Sequence, residues 1–147
     1  MKLTTRGQYG TRALLDVALH RDEEPILLKD IAKRQQISLP YLEHLVAPLI
    51  AGGMLRSTRG AKGGVSLARP PEDIKLSDVV RLLEGSMALV QCIDDPKACD
   101  RSGSCATRDI WGEMKQAIDG VLESTTLQDL AERQKKKTQP EPEMYYI

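Results

Sequence analysis

The sequence predicts a mainly α fold: a winged helix-turn-helix with a small β-hairpin wing, followed by a long C-terminal dimerisation helix. Three observations carry that expectation. Two short helical periods are joined by a brief turn at Gln36-Ile37, and a basic, glycine-rich segment between two short β-type runs comes next. Near the C-terminus lies an apolar stripe too long for a small chain to cover alone. Composition agrees. The 147 residues include no Phe and only 3% aromatics, so the core must be built from Leu, Ile, Val and Ala. With 29% charged residues this suits helices more than a β-sandwich.

Taken in order, Tyr9, Ala13, Leu14, Val17 and Ala18 recur at helical spacing, predicting a first helix over about residues 5–20 with Thr4 or Thr5 as its cap. Asp22-Glu-Glu-Pro25 ends it in a turn, and Ile26-Leu27 forms a short extended piece. A short second helix over 29–35 turns Ile31 and Ala32 inward. Ser38 caps a third helix over 39–51, with Pro40 in the first turn, where a missing N–H costs little. Leu42, Leu45, Val46 and Leu49 make its apolar stripe, Gly52-Gly53 stops it, and Pro48 should bend or tighten its last turn. Strands around 55–57 and 65–67 flank the loop Arg59-Gly-Ala-Lys-Gly-Gly64, whose glycines let the backbone approach another surface. Pro70-Pro71 closes that unit. A fourth helix over about 77–84 buries Val79, Val80, Leu82 and Leu83 and stops at Gly85. After Cys105 a long helix carries Ile110, Trp111, Met114, Ala117, Ile118, Val121 and Leu122 as one stripe, and a second copy of itself is the simplest cover. Thr126 and Asp129 resemble a capping box opening a last helix over 127–133. The chain therefore divides into a DNA-binding head (1–85), a cysteine loop (86–105), a dimerisation helix with a short final helix (106–134) and a charged, proline-bearing tail (135–147) expected to be disordered.

The formal net charge of zero hides a polarity. Residues 1–75 hold 12 Lys+Arg against 8 Asp+Glu, and residues 76–147 hold 9 against 13. Arg56, Arg59, Lys62 and Arg69 lie in a stretch without a single acid, the electrostatic footprint of a nucleic-acid contact. No apolar run is long enough to span a bilayer, and the N-terminus lacks the apolar region of a signal peptide. A cytoplasmic protein with no membrane partner is the expectation.

All three cysteines, Cys92, Cys99 and Cys105, fall in one polar, turn-rich stretch. An odd count argues against a closed disulfide framework. Three thiolates on a loop suit a soft metal centre, an iron–sulfur cluster foremost. Zinc and a metal-free thiol switch are the competitors, although structural zinc sites usually use tighter spacings than the six and five intervening residues here. A ferredoxin-like carrier would want four cysteines, and neither a nucleophile–base pair nor a nucleotide-binding glycine loop is present, so an enzyme is not expected.

Met1-Lys-Leu-Thr-Thr-Arg-Gly-Gln-Tyr-Gly10, Ile37-Ser-Leu-Pro-Tyr-Leu-Glu43, the wing Arg59-Gly-Ala-Lys-Gly-Gly64 and Leu67-Ala-Arg-Pro70 resemble the Rrf-two family of bacterial winged-helix transcriptional regulators. The resemblance covers roughly residues 1–133, and the three-cysteine loop falls where the IscR- and NsrR-like, cluster-binding branch carries its own. It implies a homodimer that grips double-stranded DNA at a palindromic operator, and a cluster, 2Fe–2S or 4Fe–4S, held by Cys92, Cys99 and Cys105. In IscR-like members a histidine three residues beyond the last cysteine is the fourth ligand. Here that position is Arg108, which stays protonated and cannot ligate. The position of the NsrR-like aspartate ligand is Gln8, so Gln8, Asp100 and Asp109 are the candidates. The regulator expected is one that senses cluster status, oxidant or nitric oxide; a cluster-free repressor answering to thiol state, metabolite or protein partner is the alternative.

Roles follow from chemistry. Ser38, Pro40, Tyr41, Glu43 and His44 lie at the N-terminal part of the third helix, the part that enters the major groove in helix-turn-helix proteins. Glu43 can accept from cytosine N4 or repel the wrong base. Arg59, with Gly60 and Gly63 allowing close approach, suits minor-groove insertion, and Arg56 and Lys62 suit phosphates. Trp111, Met114, Ile118, Val121 and Leu122 form the expected dimer core. His20 is read as a helix-end residue rather than a ligand.

Overall fold

The computed structural model describes residues 2–139. Its first helix, α1 (Thr5–Leu19), starts at Thr4, whose side chain accepts from the Gly7 N–H. A single 3-10 turn (Arg21–Glu23) leads to Ile26, which pairs with Val65 as an isolated bridge. Helices α2 (Leu28–Gln35) and α3 (Leu39–Ala51) meet at a turn in which Gln36 adopts a left-handed conformation (φ 55°). The Ile37 N–H then reaches back to the Ala32 carbonyl (3.0 Å), closing α2, and the Ile37 side chain is buried. Ser38 caps α3 as expected, and Leu42, Leu45, Val46 and Leu49 are buried. Pro48 stands inside α3 but within a turn of its end, so the helix continues to Ala51.

Strands β1 (Leu55–Thr58) and β2 (Gly64–Leu67) pair antiparallel, with Leu55 opposite Leu67 and Thr58 opposite Gly64. A 3-10 turn (Pro71–Asp73) precedes α4 (Leu76–Glu84), which ends at Gly85. Val79, Val80 and Leu83 are buried there. Leu82 is only half-buried, because it lies over Gly52 at the edge of the core. The core itself fills the space between α1–α4 and the hairpin, with Leu14, Ile31, Leu42, Leu45, Leu49, Ile74 and Val79 at or near zero exposure.

The cysteine segment is not a featureless loop. It folds as a four-residue helix, α5 (Gln91–Asp94), and two 3-10 turns, Pro96–Ala98 and Ser102–Ser104. Asp95 caps the first of these turns by accepting from the Lys97 N–H (3.1 Å). Beyond Cys105 comes α6 (Ala106–Glu123), which buries no residue. The chain then returns to the head: Leu127 N–H donates to the Ile74 carbonyl (2.8 Å), and Leu127 is fully buried in the core.

The last helix, α7 (Leu127–Thr138), opens with the expected capping box of Thr126 and Asp129. It runs five residues past the expected end at 133, so the tail boundary at 135 is corrected. Lys135, Lys136 and Lys137 occupy its last turn, where cations complement the helix dipole, and Gln139 is extended, as a residue before proline tends to be. The rest of the expected tail, from 140 on, lies outside the described residues. No described helix is long and apolar enough to cross a membrane.

Candidate DNA-reading surface and cysteine loop

At the start of α3, Ser38, Pro40, Glu43 and His44 are exposed. Tyr41 is not among them. It is half-buried, its ring edge-on to Tyr9 (6.2 Å between centroids) and its hydroxyl donating to Thr5 Oγ1 (3.2 Å). Tyr41 therefore fixes α3 against α1, and its exposed neighbours are the ones free to meet a groove.

On the hairpin, Arg56, Arg59, Gly60 and Lys62 are exposed. Gly63 is buried: its N–H donates to the Gly60 carbonyl (2.9 Å), and a Cβ there would collide with the Thr58 carbonyl oxygen. Gly63 shapes the tip rather than facing outward. The hairpin is tied back to the head by Glu24, whose carboxylate accepts from the Leu67 N–H (3.2 Å).

A polar network inside the head was not expected from the sequence. Asp16 is 1% exposed and takes both Nε and Nη2 of Arg34 (3.0 and 2.7 Å) and Nε2 of Gln35 (2.8 Å). The bond to Asp16 raises the Arg34 pKa above its ordinary value. Arg12 Nε donates to Gln35 Oε1 (3.1 Å) and its guanidinium stacks over Tyr9. These contacts lock α1 to α2. The signal was legible: Asp16 sits among Ala13, Leu14 and Val17 on the apolar face of α1, where a lone charge requires a partner. His20 ends α1 with Nδ1 2.8 Å from the Asp16 carbonyl, a helix-end role as expected.

The three thiols are free, Cys92 and Cys105 half-buried and Cys99 exposed. Cys105 is the N-cap of α6, and its Sγ shares a hydrogen bond with Thr107 Oγ1 (3.1 Å). That bond, aided by the Arg108 N–H, lowers the Cys105 pKa and favours thiolate. Among the described residues no three His, Cys, Asp or Glu side chains stand close enough together to hold a metal ion. Of the fourth-ligand candidates, Asp100 and Asp109 are exposed, and Gln8 donates through its amide nitrogen to the Leu3 carbonyl (2.9 Å), a bond that does not use its oxygen, the atom that would ligate. The donor chemistry fits an iron–sulfur cluster: three free thiols, one biased to thiolate, on a single short segment. Assembly of the set requires the segment to rearrange.

On α6, Ile110, Trp111, Met114 and Val121 are exposed, Val121 at 65%. Ile118 and Leu122 are half-buried, Leu122 in a cleft with Ser77 and Val80 of α4. The single stripe expected from the sequence is thus divided between a face turned into the chain and a face left open.

A family model for Rrf2, described as an iron-dependent transcriptional regulator, matches residues 3–133. The chain belongs to the Rrf2 family. It is 50% identical over 130 residues to the protein rrf2 of Nitratidesulfovibrio vulgaris, covering 88% of this chain and 87% of that one. It is also 39% identical to the HTH-type regulator CymR of Bacillus subtilis, over 89% of this chain and 90% of CymR. Among solved structures, T. potens IscR superimposes with a TM-score of 0.81 at 40% identity, covering 99% of this chain and 97% of that one. CymR, the global cysteine regulator of B. subtilis, superimposes with a TM-score of 0.77 at 38% identity, over 90% of this chain and 98% of that one.

Rrf2 proteins are DNA-binding transcriptional regulators and not enzymes, as the sequence led us to expect. The winged-helix head and hairpin described above are the architecture of these relatives.

Proposed function

We propose that this Rrf2-family regulator works as a cytoplasmic homodimer that binds a palindromic operator, with an iron–sulfur cluster on Cys92, Cys99 and Cys105 setting its DNA affinity. One observation carries the reading. The three free thiols lie on the segment that leaves the head at Gly85 and ends as the N-cap of α6. A cluster gathering them acts on the junction between the DNA-reading head and the helix with an open apolar face.

The open face of Ile110, Trp111, Met114 and Val121 suits the same face of a second copy, which would set the spacing of two heads. Each head offers Ser38, Pro40, Glu43 and His44 to the major groove. Arg59 suits the narrow minor groove, and Arg56 and Lys62 suit phosphates. Ile118 and Leu122 would support the dimer helix from within the chain. The cluster would supply a redox-labile anchor; the protein's part is to present the thiolates and to carry their rearrangement to α6.

The test is operator binding by fluorescence anisotropy, without oxygen, using cluster-loaded and cluster-free wild type and Cys99→Ala. The proposal expects the two wild-type forms to differ by roughly 5- to 150-fold and Cys99→Ala to behave as cluster-free in both preparations. Equal affinity in both wild-type forms contradicts it.

A second reading has its own observation. The lowered pKa of Cys105 favours a metal-free thiol sensor, and the similar CymR is the global cysteine regulator of B. subtilis. That reading expects oxidant to change DNA binding in protein that holds no iron.

A further inference from the structure

The Arg108 side chain, which no ligand role absorbs, makes more bonds to the cysteine segment than any other in the described chain. Its Nε and Nη2 both donate to the Cys92 carbonyl (3.1 and 3.0 Å), and its Nη1 donates to the Ser102 carbonyl (3.4 Å). Arg108 itself stands three residues beyond Cys105, the N-cap of the same helix. One side chain therefore bonds the segment at Cys92 and at Ser102, spanning 16 positions of sequence from a fixed point in the first turn of α6, the helix that Cys105 caps.

The chemistry of this contact is specific to arginine. A guanidinium is a planar fork that reaches two carbonyls at once and keeps its charge at any physiological pH. A helix of four residues and two 3-10 turns bury nothing and have no core of their own to hold them. Charge-assisted bonds to backbone carbonyls are the strongest local restraint available to such a segment. Cys99, by contrast, lies on the exposed arc between the two clamped carbonyls.

We propose that Arg108 is the positioning residue of the cysteine loop: with no metal bound, it holds the Cys92 and Cys105 segments together on α6, leaving Cys99 as the mobile third thiol. This rests on the reading of the loop as a metal-binding segment. It adds that two of the three thiol-bearing positions are brought together by protein contacts before metal arrives. Metal capture then needs closure of one short arc instead of folding of the whole loop, and preorganisation of that kind raises affinity.

The test uses the full metal-free chain as wild type, Arg108→Gln and Arg108→Lys. Amide hydrogen exchange is followed by mass spectrometry, and thiolate ligation of cobalt(II) is followed by absorption. Arg108→Gln should exchange about tenfold faster across residues 92–105, with protection of the head unchanged, and should bind cobalt(II) about tenfold more weakly. Arg108→Lys, which keeps the charge and loses the fork, should recover part of both effects. Unchanged exchange in Arg108→Gln overturns the clamp, as does a loss of protection spread over the whole chain. Faster loop exchange with unchanged cobalt affinity overturns the positioning role. So does a wild type that takes up no cobalt through its thiols. None of these results depends on whether an iron–sulfur cluster is the natural occupant.

Discussion

The Glu84 carboxylate caps the start of α1, and Gly7 is what lets it in. Glu84 Oε1 accepts from the Gly7 N–H (3.0 Å), the Thr4 N–H (2.9 Å) and the Thr4 hydroxyl (2.5 Å), satisfying donors that a helix start leaves without partners. A Cβ on residue 7 would occupy the position of that carboxylate. The bond joins the last residue of α4, next to the cysteine segment, to the first turn of α1. Gly7→Ala should cost about 1–2 kcal/mol in urea unfolding, Glu84→Ala about the same, and the double variant scarcely more than either alone. Additive losses would show that the two residues act separately.

Asp16 is the one fully buried acid of the head, and Arg34 is its main partner. Asp16→Ala leaves Arg34 and Gln35 without their acceptor. Arg34 keeps a third of its side chain in water, so the loss should be about 2–3 kcal/mol, below that of breaking a fully buried pair. A loss of unfolding free energy under about 1 kcal/mol, the range of exposed pairs, would show that the network contributes little to the head's stability.

The wing and α3 are expected to fail in different ways. Lys62→Ala should weaken operator and random DNA alike and reduce the slope of log affinity against log salt by about 1. Glu43→Ala should alter discrimination between operator variants, with about 1–3 kcal/mol at stake for a base contact. A competition series on single-base operator variants, run at several salt concentrations, reads both. Tyr41→Phe should leave discrimination intact, since its hydroxyl is used on Thr5.

The open face of α6 supplies a test of assembly. Val121→Asp places a charge at the most exposed position of that face, and light scattering should then show a monomer whose helical content is unchanged. Operator affinity should fall with it, because two linked heads bind far better than one. A dimeric Val121→Asp protein would place the interface elsewhere.

Asp129 carries a pH dependence whose sign is fixed. Backbone and side-chain bonds from Thr126 lower its pKa below the ordinary value of 3.8. The capping box therefore contributes its stability above that ordinary value and loses it as pH falls through the depressed one. Asp129→Asn should be less stable near neutrality and should lack this part of the acid-side loss, read by thermal melts from neutral to acidic pH. Parallel acid profiles for the two proteins would remove Asp129 from the linkage.

Much of the head was legible because periodicity and caps are local signals. The buried faces of α2 and α3, the Ser38 cap and the Thr126 capping box could each be read from a few adjacent residues. What escaped depends on distant partners. Tyr41 reads as an exposed base reader until Tyr9 and Thr5 are brought beside it, and Gly63 as a surface contact until the hairpin closes on Thr58. The α6 stripe looks continuous in sequence, yet α4 covers Leu122 and leaves Val121 open. The cysteine segment is polar enough to read as loop, and Arg108 bonds it at Ser102 and at Cys92, sixteen residues away, a spacing no local pattern reveals. The far end of α7 was hidden by composition, because a lysine run reads as a solvated tail although it also suits the end of a helix.

In the function we propose, Cys92, Cys99 and Cys105 hold an iron–sulfur cluster. The most direct measurement is an absorption spectrum of protein purified without oxygen, with iron, acid-labile sulfide and zinc assayed on the same sample. Visible thiolate-to-iron absorption is expected, with iron and sulfide in matching amounts, all lost in Cys99→Ala. A colourless, iron-free protein that also fails anaerobic reconstitution would contradict it, leaving a DNA-binding Rrf2 regulator that senses through its thiols alone.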